Sequence, residues 1–215
     1  MLTLKTDNVK TILCIGAHSD DIEIGCGGTV LTLLNEQKDI QVHWVVLSAE
    51  GSRRDEAQKA ADIFLQDAKS KTVEIKNFTD TRFEYQDALR IKDYFRELSQ
   101  TVQPDLVFTH RRADVHQDHR FVGELTWQTF RNHMILEYEI PKYEGDLGQP
   151  SVFVAIDSEL AAKKVATITE VFETQKSKPW FDTETLQSLM RLRGVECQSP
   201  SGKAEGFYCR KLRLF

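Results

Sequence analysis

The sequence predicts a three-layer α/β fold, a mainly parallel sheet with helices on both faces. Three observations lead there. Short apolar runs alternate with helical stretches along most of the 215 residues. Runs such as Thr11–Gly16 (TILCIG) and Ile40–Ser48 (IQVHWVVLS) are bounded by polar residues and rich in branched ones, the pattern of buried strands. No repeat, low-complexity tract or linker divides the chain, so one Rossmann-like domain over residues 1–215 is expected.

The elements follow in order. After the first strand, Gly25–Gln37 reads as a helix whose apolar side is Val30, Leu31, Leu33 and Leu34. Ile40–Ser48 is the second strand. Ser52 is placed as the N-cap of a charged helix reaching Gln66. Thr72–Lys76 is a third strand, and Glu84–Val102 a helix that stops before Pro104. Asp105–Thr109 is a fourth strand, followed by a loop over Arg111–Asp118 and a helix opening near His119, with His133 on a helix. Pro141–Pro150 is a loop. Ser151–Asp157 is a strand, Glu159–Thr174 and Thr183–Arg193 are helices, and Phe207–Leu214 closes the chain as a strand.

Bulk properties narrow the function classes. Lys and Arg total 28 against 33 Asp and Glu, a formal charge of -5. No basic stripe marks a nucleic-acid surface, and Arg111-Arg112 and Arg191–Arg193 read as solvated faces. MLTLKTDNVK lacks the apolar run of a signal peptide, and no segment approaches the ~20 apolar residues of a membrane span, so a cytoplasmic address is expected. Cys14, Cys26, Cys197 and Cys209 form no CxxC pair. Cys14 reads as a small core residue, and no disulfide framework is expected.

Chemistry concentrates at two strand ends. Ala17-His18-Ser19-Asp20-Asp21 follows the first strand at once. An imidazole and two carboxylates at one strand end are costly to bury unless they bind something, and they are suitable metal ligands. The bland alternative is a polar loop in which Asp21 caps the next helix. Gly25-Cys26-Gly27-Gly28 invites a nucleotide-binding reading with Glu50 on a ribose. The spacing is not GxGxxG, however, and two aspartates would face the phosphates, so the glycines are read as allowing close helix–sheet packing. The second constellation, His116-Gln117-Asp118-His119, lies just beyond the fourth strand, in a segment that also holds His110 and Asp114. In a parallel sheet the ends of the first and fourth strands can be neighbours, which would gather His18, Asp21 and one of these histidines around a single ion. His43 and His133 are assigned no role.

These segments resemble a known family. IGAHSDDIEIGCGG is similar to the AHPDD signature of the PIG-L/LmbE-like N-deacetylases, and His116–His119 to that family's HxDH motif. Arg53-Arg54-Asp55-Glu56 resembles its R-x-x-E helix start, and Arg193-Gly194 with Ala204-Glu205-Gly206-Phe207 its RG…AE-x-F pattern, so the resemblance spans most of the chain. Two departures stand out: Ser19 replaces the usual proline, and the acid after the double Asp is displaced to Glu23 behind Ile22.

The resemblance implies a hydrolase that removes an N-acetyl group from an N-acetylglucosamine-type sugar or glycoconjugate. His18, Asp21 and His119 would hold zinc, with ferrous iron as the alternative, leaving one position open to water. Asp20 would be the general base. A protonated His116, held by Asp118, would stabilise the oxyanion. Arg53 would bind substrate hydroxyls or phosphate, with Asp80 and His110, at strand-end loops, as further candidates, while Arg193 and Glu205 line or brace the rim. The competing readings are an N-deacylase or amidohydrolase of another small molecule, and a nucleotide-binding Rossmann-like module. The partner expected is a small-molecule or sugar-conjugate substrate. Nucleic acid and a membrane span are not expected, and a homo-oligomer is left open.

Overall fold

The computed structural model describes Thr3 and residues 5–213. Its strands are β1 (Thr11–His18), β2 (Gln41–Ser48), β3 (Ser70–Ile75), β4 (Leu106–His110), β5 (Met134–Tyr138), β6 (Val152–Ala155) and β7 (Ala204–Cys209). Its α-helices are α1 (Asp21–Glu36), α2 (Ser52–Phe64), α3 (Ala88–Thr101), α4 (Gln117–Thr129), α5 (Ser158–Val171) and α6 (Thr183–Glu196). The strands form one seven-stranded sheet in the order β3-β2-β1-β4-β5-β7-β6. β3 through β5 run parallel, and β7 lies antiparallel to both of its neighbours. The expected three-layer, mainly parallel architecture is therefore what the chain adopts.

Alternation along β1 builds both faces. Ile12 and Cys14 enter one core layer with Val30, Phe64, Ile168 and Met190, while Leu13, Ile15 and Ala17 enter the other with Ile91, Phe95 and Val122. The chain winds outward from β1 to β3, then returns to place β4 on β1's other side. That reversal opens a crevice beyond the carboxyl ends of β1 and β4. Their ladder runs only from Ile12–Leu106 to Cys14–Phe108. Past that point side chains take over: the Tyr138 hydroxyl donates to the Ile15 carbonyl at 2.7 Å, and the Ala17 N–H donates to His110 Nε2 at 3.0 Å.

Several expectations need correction. α1 begins at Asp21 rather than Gly25, because packing overrides the poor helix propensity of glycine. The close packing expected of its glycines is what the chain shows: a Cβ on Gly25 would sit 2.2 Å from the Tyr138 ring, and one on Gly28 would lie 2.8 Å from Glu205. β5 was not anticipated. Its residues MILEY bury Ile135, Leu136, Glu137 and Tyr138 between β4 and β7. His133 lies in the turn before it, not on a helix. The cap position of α2 is Gly51, whose φ of +54° suits glycine, and Ser52 is the first helical residue. The stretch from Phe83 opens with a π-helical turn to Asp87, and α5 ends at Val171, ahead of a 3₁₀ turn at Glu173–Gln175. The last strand is Ala204–Cys209, and the expected end at Leu214 lies outside the described residues. Arg193 is buried and paired with Glu139 rather than solvated. All four cysteines are free, with Cys14 in the core. Among the described residues no helix is long and apolar enough to cross a membrane.

Candidate metal centre

His18 is the last residue of β1, and a two-residue turn separates it from α1. The second residue of that turn, Asp20, has φ +102°, a conformation that side-chain-bearing residues rarely adopt. The turn is held locally: the His18 N–H donates to Asp21 Oδ2 at 2.6 Å, and the Ile24 N–H to the Asp20 carbonyl at 2.9 Å. Across the crevice His116 stands at the cap position of α4, and Asp118 and His119 lie in that helix's first turn.

Three side chains converge there. His119 Nε2 lies 3.3 Å from His18 Nδ1, His18 Nδ1 lies 3.4 Å from Asp21 Oδ2, and His119 Nε2 lies 3.4 Å from Asp21 Oδ1. All three residues are buried. Donors about 2.0–2.1 Å from a tetrahedral ion stand roughly 3.3–3.4 Å apart. These contacts, each imidazole nitrogen reaching a different oxygen of Asp21, have that spacing, so the triangle of residues suits three zinc ligands.

The outer nitrogens fix which atoms face inward. His18 Nε2 meets Asp118 Oδ2 at 3.0 Å and Asp80 Oδ1 at 3.1 Å, and His119 Nδ1 meets Asp114 Oδ2 at 3.1 Å. An ionised carboxylate only accepts, so each of those nitrogens carries the proton and turns a lone pair toward the triangle. Two lone pairs and a carboxylate facing one another call for positive charge. The same residues could hold a metal ion, and two overlapping sets, His18–His116–Asp118 and His110–Asp114–His119, share members with this one.

Electrostatics agree with that demand. In the metal-free site a second proton on His18, at Nδ1, supplies that charge in place of an ion. Burial opposes it, but hydrogen bonds to Asp118, Asp21 and Asp80 outweigh burial and hold the imidazolium well above the ordinary range. A metal at Nδ1 would have to displace this proton. Burial likewise opposes an ionised Asp21, yet His119 and His110 keep its carboxyl well below the usual value. Burial, then His110, push His119 down to about 3, so it is neutral, as a ligand must be. Asp20 differs from its neighbour: burial, then the charge of Asp21, lift its carboxyl to about 7.

Two expectations about contacts change. Asp118 does not hold His116. Its Oδ2 faces His18, and its two oxygens also accept the N–H groups of Thr81 and Phe83 at 2.7 and 3.2 Å. Without that partner His116 is not held protonated; burial, then the charge of His18, push its imidazole down. Its ring lies 4.4 Å from that of His119 and 5.1 Å from that of His18. Arg53 is part-exposed and already partnered within the site. Its Nε donates to Ser19 Oγ at 3.1 Å and its NH1 to Asp80 Oδ2 at 2.9 Å, so Ser19, at the position of the expected proline, is tied to α2. Glu205 is buried against α1 and α5. It accepts the N–H groups of Gly28 and Thr29 in α1 and pairs with Lys164 at 2.6 Å.

Comparison with known proteins shows the family. Residues 13–130, which include every donor of the triangle, match the family PIG-L: GlcNAc-PI de-N-acetylase. The chain belongs to the PIG-L family. The uncharacterised deacetylase YaiS of Escherichia coli (strain K12) is 31% identical over 175 residues, covering 74% of this chain and 89% of that protein. Two solved structures share the fold. N,N'-diacetylchitobiose deacetylase from Pyrococcus horikoshii superposes with a TM-score of 0.65 at 21% identity, covering 94% of this chain and 84% of that one. GalB, the 4-carboxy-2-hydroxymuconate hydratase of Pseudomonas putida KT2440, gives 0.73 at 20% identity, covering 96% and 98%.

Sequence reading missed part of this PIG-L site. Asp114 was noted only as one of a crowd, yet it is the carboxylate behind His119. Thr81 and Phe83, which supply backbone N–H groups to Asp118, carry no side-chain signal. Lys178 lies near enough to Asp20 for its charge to oppose the rise in that carboxyl's pKa, and nothing in the loop before α6 pointed to it.

Proposed function

We propose that this PIG-L family member is a zinc-dependent N-deacetylase that hydrolyses the acetamide of an N-acetylglucosamine-type sugar or conjugate. The observation that carries the reading is the 3.3–3.4 Å triangle of His18, Asp21 and His119 with Asp20 beside it. A nitrogen-rich donor set of two imidazoles and one carboxylate suits zinc, and ferrous iron takes the same ligands. When bound, such an ion polarises a carbonyl and acidifies water at its open position.

The residues divide the remaining work. Asp20, with a carboxyl near 7, takes a proton from the attacking water as its oxygen bonds to the acetamide carbon. The same carboxyl then returns a proton to the nitrogen as the C–N bond breaks, giving acetate and a free amine. His116, neutral and half-buried beside His18 and His119, donates a ring N–H to the oxyanion. Asp118 keeps the His18 ring turned so that Nδ1 faces the ion. Asp80 and Arg53, part-exposed and paired with each other, hold sugar hydroxyls or a phosphate.

The test is elemental analysis of purified protein, followed by acetate release from a panel of N-acetylated sugars and other amides, with and without chelator. About one equivalent of a divalent ion and chelator-sensitive release from an acetamido sugar are expected. Release only from other amides would move the substrate class. Absence of both ion and release would end the reading, and GalB shows that this fold also hosts a hydratase.

A further inference from the structure

The loop Pro141–Pro150 lies outside every motif, yet it reaches the metal triangle through one cation. The Lys142 side chain is only 6% exposed. Its Nζ lies 3.0 Å from Asp114 Oδ2, 2.6 Å from Asp146 Oδ1 and 3.4 Å from its near neighbour, the Ile140 carbonyl. Three N–H donors therefore have three acceptors within the protein, which leaves Lys142 none for substrate. Asp114 Oδ2 is the same oxygen that faces His119 Nδ1. The other Asp114 oxygen accepts the His116 N–H at 2.8 Å, and Asp146 Oδ2 accepts the Val115 N–H at 2.7 Å. Arg111 adds a hydrogen bond to the Asp146 carbonyl at 2.9 Å.

We propose that Lys142 is a positioning residue, whose buried ammonium locks Asp114 against His119 and so keeps His119 Nε2 as the nitrogen turned to the ion. The inference rests on the metal reading above for its consequence, though not for its geometry. Without the ammonium, Asp114 and Asp146 face each other in a poorly solvated space, and like charges there repel. Asp114 is then free to swing toward solvent, and His119 loses the acceptor that selects its tautomer. Lysine acts here by charge and reach rather than by fork geometry, because its partners are single oxygens of two different carboxylates.

The experiment compares Lys142→Met, Lys142→Gln and Asp146→Asn with the parent. Two readouts are used: zinc affinity by chelator competition, and the His119 ring tautomer by nitrogen-15 NMR of metal-free protein. The parent is expected to show one tautomer protonated at Nδ1. Lys142→Met should mix the tautomers and weaken zinc about 10–100-fold. Asp146→Asn, which leaves the Lys142–Asp114 contact in place, should lose less. If Lys142→Met does not fold, Lys142→Gln, with a donor but no charge, should fall between parent and that loss. Parent-like affinity together with an unchanged tautomer in a folded Lys142 variant overturns the proposal. A parent that binds no divalent ion overturns the metal reading instead, and the tautomer of the metal-free ring still decides the role of Lys142.

Discussion

Asp20 and Asp21 are adjacent carboxylates with opposite behaviour, and the difference comes from what each one faces. Asp21 is ringed by His18, His110 and His119 and stays ionised, whereas Asp20 sits buried beside that charge and retains a proton to about 7. Asp20→Asn should therefore retain bound metal and lose about 10²–10⁴ in kcat/KM; parent-rate acetate release from that variant would refute the base assignment. A linked effect reaches stability. The folded pKa of Asp20 lies above the unfolded value near 4, so between those limits the native state binds more protons. Metal-free protein should lose stability as pH rises from about 4 through about 7, and Asp20→Asn should flatten that limb in urea titrations. His116→Ala should lower kcat by about 10²–10³ with a smaller change in KM, as for a group that acts on developing charge. An equal effect on KM alone would make it a binding residue. At this scale the sequence was legible where the motif names the atoms, as for His18, Asp20, Asp21 and His119. Asp118 was placed in the site but given the wrong partner, because i, i+2 proximity to His116 in sequence says nothing of facing.

Helix α1 shows how far packing can override local preference. Four residues from Gly25 to Gly28 include three glycines, each unfavourable in a helix interior, yet all are buried in one. The cause lies in other elements: Tyr138 from β5, Phe64 from α2 and Glu205 from β7 occupy the space that side chains would take. Gly25→Ala, pressed against the Tyr138 ring, should destabilise by about 1–3 kcal/mol or more, read as a lower urea midpoint. A neutral result would mean that the ring can give way. Strands β1, β2 and β4 were readable because they are continuous branched runs. β5 was not, because its apolar residues surround a buried Glu137 that pairs with Arg112 and Trp127, and a charge inside a strand reads as a loop.

At the scale of the molecule, the site is assembled from segments about a hundred residues apart in sequence, joined only by the sheet order. An ion binding there stabilises the folded state by mass action. At 100-fold excess over Kd zinc should add about 2.7 kcal/mol, or roughly 5–10 °C in Tm for a chain of this size, reversed by chelator. An unmoved Tm would argue against a native divalent site. The layering and both constellations were foreseeable from alternation and motif position. The far half of the sheet was legible only as two strands, near β6 and β7; their pairing was not, since β7 turns antiparallel and its partners β5 and β6 precede it by long intervals.

The early end of the β1–β4 ladder has one last consequence. Beyond Cys14 and Phe108 an imidazole of β4 and, from one strand further out, a phenol of β5 button β1 in place of peptide groups, so His110 and Tyr138 set how wide the seam stands. Loosening either button should let the fabric unravel from the catalytic side, with Ala17 exchanging its amide hydrogen faster while Leu13 stays protected.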